Sequence, residues 1–249
     1  MEETWPCNGR LRHARDKRFA ATVVFIHHFG GNRSSTRRHQ DMVLDMGLDC
    51  FSFDLSFNRT PKWTLLNSLS ENALESWTRE LELVLNALPG DKILYSFSFP
   101  STSVPTLLAR RPRTDIKAWI CDGGPFLEPW RCLWNYFIYA EPTPRLTKRF
   151  LLTCYSYVFI GGPLYETRIH DSVSRLDPGL PILSVRSGRD VLVPERAIDR
   201  VFKVNPRLNL NVLRLPEAPH LEGFKQQPEK YTAAVREIVS AAAISRQGC

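Results

Sequence analysis

The chain has 249 residues, of which 43% are hydrophobic, and carries a formal charge of +7 from 33 Lys and Arg against 26 Asp and Glu. This length and apolar content suit one large soluble domain, or a domain with an insertion, and the sequence shows no long disordered stretch, internal repeat or low-complexity tract. The positive excess is dispersed over Arg10 to Arg18, Arg33 to Arg38, Arg110 to Arg113 and Arg145 to Arg149. No nucleic-acid-binding motif accompanies it, so it reads as solvated faces and no nucleic-acid partner is expected. Six cysteines (Cys7, Cys50, Cys121, Cys132, Cys154, Cys249) fall at no metal-ligand spacing, which argues against zinc. Cys50 and Cys121 lie in apolar runs and read as buried thiols. The polar N-terminus lacks the apolar stretch of a signal peptide, so a reducing, cytoplasmic compartment is expected.

In chain order, the first twenty residues read as an N-terminal extension. Ala21 to Ile26 is a β-branched run suited to a strand buried on both faces of a parallel sheet. The turn His27-His28-Phe29-Gly30-Gly31 follows, then a helix over Thr36 to Met46 that Gly47 ends. Asp49 to Leu55 is the second strand. Ser70 to Leu88 carries Leu74, Trp77, Leu81, Val84, Leu85 and Leu88 at helical spacing before Pro89-Gly90 breaks it. Lys92 to Phe97 is the third strand; Ser98 begins a turn, and a helix continues to Arg110. Ala118 to Cys121, Pro181 to Val185 and Asn209 to Leu215 supply further strands, and Pro228 to Ala242 the last helix. Alternating strand and helix predict an α/β fold, a mostly parallel sheet covered on both faces.

Between the strands at Ala118 and Pro181 lie about sixty residues, far more than an ordinary connection. This stretch is dense in aromatics, Trp130, Trp134, Tyr136, Phe137 and Tyr157 among them, and reads as a helical insertion over 123–180 between core segments 21–122 and 181–249. Its apolar run from Phe150 to Leu164 is too short and broken to span a membrane; it reads first as core packing within the insertion, with peripheral membrane contact as the second reading.

A serine hydroxyl becomes a good nucleophile only when a neighbouring base takes its proton, and acyl transfer further needs donors aimed at the developing oxyanion. Ser96-Phe97-Ser98-Phe99-Pro100 lies between a strand and a helix, Ser187 to Pro194 follows a later strand, and Pro219-His220-Leu221 follows the final one. Together with His27 to Gly31, these segments resemble, in order and context, the motifs of the α/β-hydrolase superfamily. The resemblance implies a serine ester hydrolase with Ser98 as nucleophile, His220 as general base and Asp190 as the acid that orients it. It also implies an oxyanion hole from the backbone N–H groups of Phe29 and Phe99, no cofactor, and a small-molecule substrate with an apolar acyl group. His28, Trp130 and Trp134 are the candidate substrate contacts, under an insertion expected to act as a lid. Ser96, Pro100 and His28 stand where the family has glycines, and Asp122 competes with Asp190 for the acid role. Asp122-Gly123-Gly124-Pro125, with Pro228-x-x-Tyr231, is also similar to the transmembrane protein 53 branch of these hydrolases.

Overall fold

The computed structural model describes residues 5–56 and 72–244. Its seven strands are β1 (Arg10–Arg12), β2 (Thr22–Ile26), β3 (Asp49–Ser52), β4 (Lys92–Phe97), β5 (Ile116–Asp122), β6 (Ile182–Ser187) and β7 (Leu210–Leu215). They form one sheet in the order β1-β3-β2-β4-β5-β6-β7. All neighbours are parallel except β1, which runs antiparallel along β3. The central strands are buried on both faces, as β-branched and aromatic runs must be once helices cover the sheet.

Helices α1 (Arg37–Asp45) and α9 (Pro228–Ile244) pack on one face of the sheet, against Val23, Phe25, Tyr95 and Ile120. The other face holds Val24, Leu94 and Trp119 under α2 (Ala73–Ala87), α3 (Ser103–Arg110) and α7 (Glu195–Phe202). Helix α2 starts where the Asn72 side chain accepts from the Glu75 N–H at 3.0 Å, satisfying a donor the first turn would leave orphaned. The helix expected from Ser70 thus begins at Ala73, and residues 70 and 71 lie outside the described residues. Three helices fill the long connection between β5 and β6: α4 (Pro129–Tyr139), α5 (Leu146–Phe159) and α6 (Leu164–Ser174). The short α8 (Gly223–Gln226) precedes α9.

Strand β1 has no counterpart among the elements expected from sequence. Three residues carry too little periodicity to announce a strand, and β1 exists only through its partner. Arg10, Leu11 and Arg12 pair with Ser52, Phe51 and Cys50, and Asp49 beyond them gathers Lys17, His13 and the Ala14 N–H.

Candidate active site

Ser98 directly follows β4, with φ 52° and ψ −136°. A non-glycine residue at positive φ costs on the order of 1–3 kcal/mol, so its surroundings must hold it there. The Ser98 N–H donates to the Asp122 carbonyl at 2.8 Å, and the Ser101 N–H donates to the Ser98 carbonyl at 3.1 Å. Gly124 is packed against the same turn: a Cβ there would lie 2.3 Å from the Ser98 carbonyl oxygen. At Gly123, φ +66°, a Cβ would meet the His220 ring at 3.1 Å. The two glycines of Asp122-Gly123-Gly124-Pro125 therefore make room for the serine turn and for the histidine.

The glycine replacements flanking Ser98 are accommodated. Ser96 is fully buried, and its hydroxyl accepts from the Trp119 indole N–H at 2.8 Å and donates to the Ile120 carbonyl at 3.4 Å. Pro100 lies in a 3-10 turn, Phe99–Thr102, ahead of α3, where a missing N–H leaves no helical bond unmade.

Ser98, Asp190 and His220 converge at the carboxyl ends of the strands, where ligands bind in open α/β sheets. His220 Nδ1 lies 2.5 Å from Asp190 Oδ2, and His220 Nε2 lies 3.0 Å from Ser98 Oγ. An ionised carboxylate only accepts, so Nδ1 carries the ring proton and Nε2 presents its lone pair to the serine hydroxyl. The other Asp190 oxygen accepts from the Leu192 and Val193 N–H groups at 2.9 and 2.7 Å, which fixes the carboxylate plane. The loop below is tied down by Gly188 N–H to Leu215 O and Arg189 N–H to Ala218 O. Arg189 itself is exposed and ion-paired with Glu217.

Asp122, the competing carboxylate, does not hydrogen-bond the histidine. It is fully buried, and its Oδ2 accepts from the Tyr231 hydroxyl at 2.7 Å. Because Tyr231 donates to Asp122, the hydrogen bond between Tyr95 and Tyr231 (2.6 Å) must run from Tyr95 to Tyr231. Asp122 Oδ1 is buried without a partner. Burial pushes this carboxyl up to about 6, against the opposing pull of the Tyr231 bond and of His220, while Asp190 adds to the rise.

A cavity of about 460 Å³ opens over Ser98 and His220. Phe99, Phe126, Cys132, Leu133, Phe159 and Ile160 form its apolar wall, while His28, Tyr136, Glu141 and Glu222 supply polar atoms. Phe29 also lines it, and among the described residues neither the Phe29 nor the Phe99 backbone N–H has a partner. His28 donates through Nδ1 to the Phe29 carbonyl at 2.9 Å; burial lowers its pKa, so the ring enters the cavity neutral. His27 turns away, with Nδ1 on the His28 carbonyl and Nε2 accepting from the Leu55 N–H, and burial lowers its pKa to about 4. Among the described residues no group of three or more His, Cys, Asp or Glu side chains is placed to hold a metal.

Trp130 and Trp134 require a correction, since neither lines this cavity. Cys132, Leu133 and Tyr136 of α4, with Ala140 just beyond it, face inward. At 100° per residue, position 134 falls roughly opposite those residues and position 130 on the flank of the same helix. Trp130 packs edge-on against Phe150 and Tyr157, and Trp134 lies under the Arg149 guanidinium at 5.5 Å. Tyr136, whose hydroxyl donates to Glu141 at 2.9 Å, takes the inward place; aromatic content alone could not tell which ring of the insertion turned in.

No protein-family model matches the sequence, and no curated protein matches it. Solved structures do. The esterase Pf2001 of Pyrococcus furiosus superposes with a TM-score of 0.66 at 17% identity, over 89% of this chain and 82% of that one. A monoacylglycerol lipase from Paleococcus ferrophilus gives 0.66 at 14% identity, over 94% and 98%. An esterase from Exiguobacterium antarcticum gives 0.63 at 12% identity, over 94% of each. This chain has the α/β-hydrolase fold. Identities this low carry the architecture alone, and the chemistry rests on this hydrolase fold's own site residues.

Proposed function

We propose that this α/β-hydrolase-fold protein is a serine hydrolase that cleaves a carboxylic ester or thioester of an apolar acyl group. The reading rests on one observation above all: Asp190, His220 and Ser98 form a continuous hydrogen-bonded chain of 2.5 and 3.0 Å at the mouth of an apolar cavity. In the proposed reaction His220 Nε2 takes the Ser98 proton as Oγ bonds to the acyl carbon. The oxyanion is met by the N–H groups of Phe29 and Phe99, the latter at the start of a helical turn whose dipole favours negative charge. The tetrahedral species collapses, His220 gives its proton to the leaving oxygen or sulfur, and an acyl-serine remains. A water activated by His220 then releases the acid and restores Ser98. Asp190 holds the ring in the productive tautomer and stabilises the imidazolium.

Helices α4 and α5 supply part of the cavity wall, which supports reading 123–180 as a cap over the acyl pocket. The lining contains Glu141 and Glu222 and no Lys or Arg, so neutral or cationic leaving groups are favoured over anionic ones.

The test is labelling by a fluorophosphonate probe. The wild type should label, and Ser98→Ala and His220→Ala should not. Folded wild type that stays unlabelled, also after trimming of the α4–α5 layer, would overturn the reading in favour of a hydrolase scaffold that binds a lipid or protein partner. His28, at a glycine position of the oxyanion loop, is the feature that would then matter most.

A further inference from the structure

We infer that the outer face of the α4–α5 layer is a docking surface for a lipid bilayer that carries anionic headgroups. A surface helix ordinarily turns apolar residues inward and polar ones to water. Helix α5 departs from this. Leu146, Phe150 and Val158 recur at intervals of four or eight along one stripe, with Leu151 beside it, and they are 64%, 51%, 55% and 66% exposed. The buried side of the helix is given to Thr153 and Phe159, and Ser156 faces the Ser98 cavity. Leu146, Phe150 and Leu151 join Trp134 in an open apolar groove, and Trp130 and Tyr139 add exposed aromatic surface on α4. Of the nine large hydrophobic side chains exposed among the described residues, seven lie between Trp130 and Leu164, and the contact of Trp130 with Phe150 and the groove shared by Trp134, Leu146, Phe150 and Leu151 gather part of them into one patch.

Charge selects the occupant. From Pro142 to Tyr165 there is no Asp or Glu, while Arg145, Lys148 and Arg149 fall within five residues. Arg149 is engaged by the Thr143 carbonyl and the Trp134 ring. Arg145 and Lys148 have no ion pair among the described residues. A second copy docked by a two-fold axis would bring these cations together with no carboxylate from Pro142 to Tyr165 to answer them. An anionic bilayer surface answers them, accepts Leu146, Phe150, Leu151 and Val158 at its acyl boundary, and suits Trp and Tyr at headgroup depth. Among the described residues no helix is long and apolar enough to cross a membrane, so the contact is one that lies on the bilayer. The inner face of the same layer walls the proposed acyl cavity, so docking would hold that cavity one helical layer from the bilayer. The docking itself does not depend on Ser98.

The test is flotation of the full chain with vesicles of phosphatidylcholine alone and of phosphatidylcholine mixed with phosphatidylserine. Binding is expected on the mixed vesicles and should weaken with added salt. Lys148→Ala should lower partitioning about fivefold. Phe150→Ser and Leu151→Ser should each lower it about tenfold. Ser98→Ala should float as the wild type does, which separates this inference from the catalytic reading. Unchanged thermal melting of the surface variants would show that they fold. Absence of flotation, or flotation indifferent to salt and to Leu151→Ser, overturns the inference. So does a concentration-dependent dimer that Leu151→Ser dissolves, since the face would then belong to a second copy.

Discussion

Replacing Asp122 by asparagine should change stability in a way that depends on pH, and its sign follows from where the carboxyl sits. Burial raises the Asp122 pKa from an ordinary 3.8 to about 6 in the folded protein. Between those values the unfolded chain has released the proton and the folded chain still holds it. Folding stability therefore falls as pH rises through this window. A difference of about two pKa units at 1.36 kcal/mol each amounts to about 3 kcal/mol that wild type loses between acid and neutral pH. The Asp122→Asn side chain never ionises and escapes this loss. It has its own cost of about 1–3 kcal/mol, because its amide N–H₂ occupies the place of the unpartnered Oδ1, but that cost is independent of pH. Urea unfolding of both proteins from about pH 4 to pH 8 measures the effect, since titrating groups that do not interact with Asp122 cancel in the difference and only its neighbours, such as His220 and Asp190, add to it. The variant should gain on wild type by about 3 kcal/mol across the range. A flat difference would refute the assignment, and a difference running the other way would mean that the tyrosine bond and His220 hold the carboxylate ionised.

His39 should act with the opposite sign. Burial among Tyr95, Phe97, Phe224 and Tyr231 lowers its pKa to about 3, with Arg38 adding to the effect, so the unfolded chain takes the proton first as pH falls below about 6.5. His39→Phe should flatten the acid limb by about 1.4 kcal/mol per pH unit below pH 6, measured by the same unfolding series. Asp190→Asn keeps the Oδ1 contacts to Leu192 and Val193 but lets the ring take the wrong tautomer; probe labelling should slow by about 10³–10⁴-fold while the melting temperature stays near that of wild type. Ser96→Gly restores the glycine of the resembled motif yet strands the buried Trp119 indole N–H, and should cost about 1–3 kcal/mol in urea unfolding.

Much of this molecule is legible along the chain because its signals are local. Apolar runs such as Thr22–Ile26 and Lys92–Phe97 have the composition of strands covered on both faces, and their alternation with helical periodicity leaves a mostly parallel sheet as the consistent packing. The order of Ser98, Asp190 and His220, each in a loop after a strand, is likewise a one-dimensional pattern. The pairing of the acid with the histidine is not. Asp122 ends β5 and Asp190 lies in the loop after β6, and the packing of α9 decides between them by placing the Tyr231 hydroxyl on Asp122 while the 188–190 loop delivers Asp190 to His220. Composition marked the insertion as aromatic; the rotation of α4 decided that Tyr136 turned in and Trp130 and Trp134 turned out. Strand β1 and the outward apolar stripe of α5 were equally out of reach, because a three-residue edge strand exists only through its partner. A helix's period, too, marks two faces without saying which one meets the protein. Local preference and spacing determined the elements and the candidate residues; contacts between segments far apart in the chain decided which side chains meet at Ser98.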